Sequence, residues 1–294
     1  MKRYGNLFSK VVALDNIENA FTKAKKGKSW QEKVQIVEKN KDYYLNKIKN
    51  SLINKTFRTS KYNTKMIYEP KQRLIYVLPF FPDRIVQHAI MNVISPIWES
   101  MMIHDSYSCR KGKGQHLGSK QSMEDVMRNK YCLQCDISKF YPSISHNILY
   151  NIVQKKIKDK DMLWLLNDII YSIDGGKNVP IGNYTSQWFG NLYLNELDMR
   201  VKHIYKIKDY IRYCDDFVLF FNNKKELNEI AKDVKTFLQE KLDLTLSKCS
   251  LFHTSQGLDF LGYRHFPNGK ILVRKRTIKR LTKMLKGMNN SPLN

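Results

Sequence analysis

Residues 211–221 read IRYCDDFVLFF, and no other stretch restricts the fold as strongly. Its β-branched and aromatic residues belong in a buried strand. Two adjacent carboxylates, Asp215 and Asp216, interrupt it. Like charges in an apolar setting repel and are costly unless something offsets them. The pattern therefore predicts two buried strands around a tight turn, with a chemical reason for the acids at its tip.

A second buried strand is predicted at YCLQCDI, residues 131–137, where Asp136 stands near the end. From there the order is strand, helices, strand, strand, helix, strand. That order is the one of a split β-α-β sheet. It makes the strand of Asp136 a neighbour of the 211–221 hairpin, so Asp136, Asp215 and Asp216 converge. Upstream, helices are expected after Asp15-x-x-Glu18 and after Ser29-x-x-Glu32, a capping-box pattern. MIYEPKQRLIYVLP reads as two strands around a Pro-Lys-Gln turn, and a helix follows Pro82. SYSCRKGKGQ is a basic, glycine-containing loop. Further helices are expected from a Ser145 cap, over 160–173, up to Val201 and over 224–241. Short strands at LTL and DFLGYRHF close an α+β fold.

The 294 residues carry a net charge of +24, which opposes compaction and favours a polyanionic partner. Nucleic acid fits first and a membrane surface second. No apolar run reaches the roughly 20 residues that span a bilayer. MKRYGNLFSK lacks the apolar core of a signal peptide, so a cytoplasmic protein is expected. Five cysteines make no paired framework, in keeping with a reducing compartment. Cys132-x-x-Cys135 is a lone CxxC, read as a zinc or redox motif or simply as part of a strand.

Clustered carboxylates can share a proton, act as a glycosidase pair or bind hard cations. A polyanionic partner favours the last use, with divalent metals linking carboxylates to phosphates. Two such ions can activate an attacking oxygen and stabilise a leaving one, which is the chemistry of nucleotidyl transfer.

With these boxes in hand the chain resembles the reverse transcriptases over most of its length. YCDD matches the family's Tyr-x-Asp-Asp box, and LQCDISKFYPSI the box of the first catalytic aspartate. RLIYVLPFFPDRIVQHAI resembles the first fingers motif. VPIGNYTSQWFGNLYLNELD resembles the motif beneath the nascent base pair, and LTLSKCSLF and FLGYRHF the last palm motifs. The resemblance implies a right-hand polymerase with fingers, a split β-α-β palm and an abbreviated basic helical thumb. It divides the chain into an N-terminal helical extension (1–57), fingers (58–130), palm (131–265) and thumb (266–294).

The resemblance also implies roles. Asp136, Asp215 and Asp216 are the catalytic acids. Asp136, Ile137 and Asp215 form the metal-ligand set for two Mg2+ ions, with Mn2+ as a substitute. Tyr141 lies under the incoming sugar, where a ring would clash with a 2′-hydroxyl. Phe140 is the competing candidate, although strand alternation points it the other way. Arg73 lies against the incoming nucleotide, with Arg110 and Lys113 as further triphosphate contacts. Ile181, Gly182 and Gln187 border the nascent pair, and Lys248 stands near the primer end. Leu261 and Gly262 form the primer-grip turn. Arg274, Lys275, Arg276, Lys279, Arg280 and Lys283, in a tail without acids, grip duplex phosphates.

Two departures refine the expectation. The fourth motif usually reads Pro-Gln-Gly-x-x-x-Ser-Pro, but here Ile181 replaces the glutamine and Gln187 the second proline. That variant resembles the enzymes of diversity-generating retroelements, which copy a template-repeat RNA with errors at adenines. After Gly262 only about thirty residues remain, too few for a long thumb, an RNase H, an endonuclease or a maturase extension. The expected partners are an RNA template, a DNA or RNA primer, dNTPs, a cognate structured RNA, and a small basic accessory protein or a second copy. No membrane is among them. Two alternatives stay open: an antiphage-defence reverse transcriptase working from its own noncoding RNA, and a non-catalytic polymerase-like scaffold.

Overall fold

The acid-bearing strands sit where the sequence places them, in an antiparallel sheet. The computed structural model describes residues 3–69 and 71–289, the side chains of 286–289 excepted. Pro70, in the expected Pro-Lys-Gln turn, lies outside the described residues, as does the side chain of Lys286 in the basic tail. In chain order the helices and strands are α1 (Phe8–Val11), α2 (Leu14–Lys25), α3 (Glu32–Lys39), α4 (Lys41–Ile53), β1 (Asn63–Ile67), β2 (Arg73–Val77) and α5 (Ile85–Glu99). Then come α6 (Gln115–Arg128), β3 (Tyr131–Ile137), α7 (Phe140–Ser143), α8 (His146–Gln154), α9 (Lys160–Ile170) and α10 (Tyr184–His203). The chain continues through β4 (Tyr210–Tyr213), β5 (Asp216–Phe221), α11 (Lys224–Leu242), β6 (Leu246–His253), β7 (Leu258–Phe260), β8 (Tyr263–His265), β9 (Ile271–Val273) and α12 (Lys275–Asn289).

These elements form two compact units. The first comprises Met1–Met102, Lys139–Asn195 and Leu242–Leu244, the second Ile103–Ser138, Glu196–Lys241 and Thr245–Asn294. In the first unit α2 packs on α5, burying Ile17, Ala20, Phe21 and Ala24 beside Ile85, Ala89 and Ile90. Spacings of three and four residues put these side chains on one stripe of each helix. β1 and β2 form the expected hairpin, pairing Asn63 with Val77 and Ile67 with Arg73.

The second unit carries a four-stranded sheet of order β4-β5-β3-β6, every pair antiparallel. This is the split β-α-β order. Alternation along β3 and β5 sets Cys132 opposite Phe220, Gln134 opposite Val218, and Asp136 opposite Asp216. One face thus begins in the core formed with Tyr107, Val126, Ile211, Leu258 and Phe260, and ends at two carboxylates. β7, β8 and β9 make a separate three-stranded sheet.

Several local expectations are corrected. The Ser29-x-x-Glu32 capping box does not form. Gln31 holds the N-cap position without a side-chain bond, because the turn ends on the carbonyl of Ser29 accepting from Gln35 instead. The single helix expected there is two, broken at Asn40, whose φ of −123° and ψ of 46° leave the helical region. Ser145 occupies the N-cap of α8 but its side chain makes no capping bond. The strand expected at LTL is the eight-residue β6, since pairing with β3 carries it on to His253. Phe140 and Tyr141 are not in a strand at all. Lys139 takes a left-handed φ of 43° and a helical turn follows, so strand alternation cannot choose between them.

Candidate functional site

The local sequence makes β4 and β5 a tight hairpin. Tyr213 pairs with Asp216, leaving Cys214 and Asp215 as the turn, with Cys214 at a left-handed φ of 54°. Asp136 faces Asp216 on one side and Lys248 of β6 on the other. The β3–β6 register slips between Asp136 and Ile137, a bulge-like irregularity of the kind that re-aims side chains beside a site.

The acids are half-buried, and the electrostatics are those of a crowded pair. Burial, the Asp136 carboxyl opposite and a hydrogen bond to it push Asp216 up to about 7, with Asp215 adding to the effect. Ser247 donates from Oγ to Asp136 Oδ2 at 2.5 Å and to its carbonyl at 3.1 Å. Lys248 donates to Gln134 Oε1 at 2.8 Å. Ser247 and Gln134 were not read from the sequence. The signal for both lay in the pairing of β3 with β6, which no local pattern reveals.

Among the described residues no three His, Cys, Asp or Glu side chains gather closely enough to hold an ion by themselves. The donors present are hard carboxylate oxygens. That suits Mg2+, which is usually held by one or two carboxylates while waters and substrate phosphates complete its shell. Ile137 follows Asp136 in β3 with its side chain buried.

The second unit also holds the primer-grip candidates. Leu261 (φ 53°) and Gly262 (φ 86°) form the two-residue turn between β7 and β8, a pattern that type I′ hairpins require. Gln115 donates to the Leu261 carbonyl at 2.6 Å, and Arg274 donates its backbone N–H to the Gly262 carbonyl at 3.1 Å. Three of the expected cations have partners within the protein. Arg110 donates to the carbonyls of Ile103 (2.6 Å) and Ser106 (2.9 Å), so it clamps its own loop. Lys113 lies 2.9 Å from His104 Nε2 and over the Tyr107 ring. Arg274 is paired with Asp259 at the surface. Lys275, Lys279, Arg280 and Lys283 are exposed on α12, as is Arg276.

In the first unit, Arg73 opens β2 and is exposed. Tyr76 of the same strand donates its backbone N–H to the Ile181 carbonyl at 2.8 Å. Gly182 lies so close that a Cβ there would stand 2.3 Å from the Tyr76 carbonyl oxygen, and its φ is +124°. Ser186 donates to the Pro180 carbonyl at 2.7 Å, and Gln187 is exposed on the first turns of α10. Phe140 is buried and Tyr141 half-buried, with Gly190 giving both rings room.

The CxxC pair does not act as a unit, since residues three apart on a strand point to opposite faces. Cys135 meets Cys249 across β3–β6 at 3.7 Å between sulfurs, and Cys132 is buried, its thiol pushed up to about 12 by desolvation. All five cysteines are free thiols.

Residues 60–265 match the model of the reverse transcriptase (RNA-dependent DNA polymerase) family. The chain is 28% identical over 247 residues to Protein YkfC of Escherichia coli (strain K12), covering 68% of this chain and 63% of that protein. It is 24% identical over 282 residues to the group II intron-encoded protein LtrA of Lactococcus lactis subsp. cremoris, covering 71% of this chain and 46% of that one. The chain thus spans between about half and two thirds of the length of these relatives. Its fold is similar to that of apo telomerase from Candida tropicalis, with a TM-score of 0.56 at 12% identity over 78% of this chain and 53% of that one. The matched span contains the paired acids of β3 and β5, the tight Gly182 approach and the β7–β8 turn, and this chain belongs to the reverse transcriptase (RNA-dependent DNA polymerase) family.

Proposed function

We propose that this protein is an RNA-directed DNA polymerase that extends a primer with dNTPs on an RNA template. The observation that carries this reading is the juxtaposition of Asp136 and Asp216 across β3–β5, with Asp215 at the adjoining turn. Their repulsion is what a divalent cation would offset. Asp136, Ile137 and Asp215 would hold two Mg2+ ions, with Mn2+ as a substitute and Asp216 as the third acid of the cluster; when bound, the ions would supply a lowered pKa at the attacking hydroxyl and charge neutralisation at the leaving pyrophosphate. Ser247 orients Asp136 by donating to its Oδ2. Tyr141 excludes a 2′-hydroxyl, Arg73 binds the incoming nucleotide, and Lys248 attends the primer end. The net charge of +24 suits a nucleic-acid duplex.

The finer reading is an error-prone enzyme of a diversity-generating retroelement, supported by Ile181 and Gln187 in the fourth motif. The test is primer extension on a defined RNA with Mg2+ and either dNTPs or NTPs. The expected result is cDNA from dNTPs, abolished by EDTA and by Asp215→Asn in a protein that still melts cooperatively and binds RNA. RNA binding without incorporation would leave a scaffold, and accurate copying would favour the defence reading.

A further inference from the structure

Arg212 stands in the middle of β4, one residue before the Tyr-x-Asp-Asp box, and its side chain is fully buried. A guanidinium there needs compensation on every side. Asp198, near the end of α10 and equally buried, accepts from Nε at 2.7 Å and from Nη2 at 2.6 Å. Tyr210 donates its hydroxyl to the same carboxylate at 2.8 Å. The third guanidinium nitrogen, Nη1, donates to the carbonyl of Cys214 at 3.1 Å. Cys214 is the left-handed turn residue immediately before Asp215. Ser108, also buried, lies 2.7 Å from the Cys214 sulfur.

Replacing a buried ion pair by apolar side chains of similar volume is often neutral or stabilising, so such a pair is weak evidence of a stability role. What an apolar pair could not supply is the directed donor to the Cys214 carbonyl. A non-glycine residue in the left-handed region is uncommon and persists only where its surroundings over-determine it. The turn residue is gripped at two points, by Arg212 at its carbonyl and by Ser108 at its thiol. Both grips bear on the backbone that aims Asp215 and Asp216.

We infer that Arg212, oriented by Asp198 and Tyr210, is the positioning residue of the acid turn, holding the Cys214 carbonyl so that Asp215 and Asp216 stay aimed at the reacting phosphates. This rests on the polymerase reading above. The bidentate bond fixes the guanidinium plane, and the plane fixes where Nη1 points. A lysine could keep the charge but not this three-way geometry.

The test is steady-state incorporation and thermal melting of the double variant Arg212→Met/Asp198→Leu beside Arg212→Lys. The expected double variant melts cooperatively near the wild-type temperature. Its kcat falls by at least about tenfold while the KM for dNTP stays within about twofold, and the Mg2+ concentration for half-maximal rate rises. Arg212→Lys is expected to show the same split. A merely structural role would lower the melting temperature without that split or the Mg2+ shift. The inference is overturned by a folded double variant of wild-type kcat, by full activity in Arg212→Lys, or by a double variant that fails to fold, which makes the pair a stability element. Absence of incorporation by the wild type would instead overturn the polymerase reading.

Discussion

Asp136 and Asp216 occupy directly opposed positions on β3 and β5, at the end of a sheet face that is otherwise core. Two carboxylates so placed repel one another and destabilise the fold unless something offsets their charge. Asp216→Asn should therefore raise stability in chelator by roughly 1 kcal/mol while removing dNTP incorporation. Mg2+ should stabilise the wild type more than the variant. Melting curves with and without Mg2+ read both effects, and a variant no more stable than wild type in chelator would contradict the repulsion.

Asp125 of α6 predicts the pH dependence of a region away from the acids. Its side chain is buried, and burial pushes it up to about 6, helped by Asp209 and opposed by Gln121 and Arg128. A folded-state value above the unfolded one means that its contribution is present below about 4 and lost as the pH rises through about 6. Asp125→Asn should leave stability near wild type at pH 4 and exceed it at pH 8, by a gap on the order of 2–3 kcal/mol. Urea denaturation at the two pH values checks it. A gap of equal size at both would mean that the ionised form is not penalised.

Gly182 should tolerate no side chain. A methyl group would stand 2.3 Å from the Tyr76 carbonyl oxygen at a φ of +124°. Gly182→Ala is expected to cost roughly 2–4 kcal/mol in chemical denaturation. Gly112→Ala is the control. Its φ is +71° but nothing lies within 4 Å, so about 1 kcal/mol is expected. Equal costs would show that the close approach to Tyr76 is not decisive.

The basic face of α12 should appear in the salt dependence of RNA affinity. Arg274 is engaged by Asp259, so the residues to change are Lys279, Arg280 and Lys283, each exposed. Replacing all three by glutamine should flatten the slope of log affinity against log salt by about two to three units. Fluorescence anisotropy over a salt series measures it, and an unchanged slope would make the helix a solvated surface.

Ile181 offers a test of accuracy. Its carbonyl is held by the Tyr76 N–H, so changing its side chain leaves that anchor in place. Isoleucine lacks the amide that a glutamine would present to the nascent pair. A hydrogen bond is worth about 0.5–1.5 kcal/mol, enough to change discrimination up to about tenfold. Sequenced cDNA from a defined RNA should show frequent errors opposite adenine, reduced several-fold in Ile181→Gln. Equal error rates would move the source of infidelity elsewhere in the pocket.

Sequence alone determined the elements whose signals are local. The apolar runs of β3 and β5, the tight turn beside the acids and the helix over 224–241 have signals that lie within a few residues of themselves. So do the acids, because carboxylates inside a hydrophobic run are conspicuous wherever the chain goes. The order of those elements also made Asp136 and Asp216 neighbours, since a split β-α-β chain has few ways to close its sheet. Tertiary structure alone decided who holds them. Asp198 and Arg212 lie 14 residues apart on a helix and a strand, Ser247 lies 111 residues from Asp136, and no local pattern encodes such a meeting. It also gave particular partners to cations that the sequence shows only as charges, Arg110 to the carbonyls of its own loop and Arg274 to Asp259. Charge in a sequence has a position but no direction, and direction comes only from the packing that decides which partner each side chain can reach.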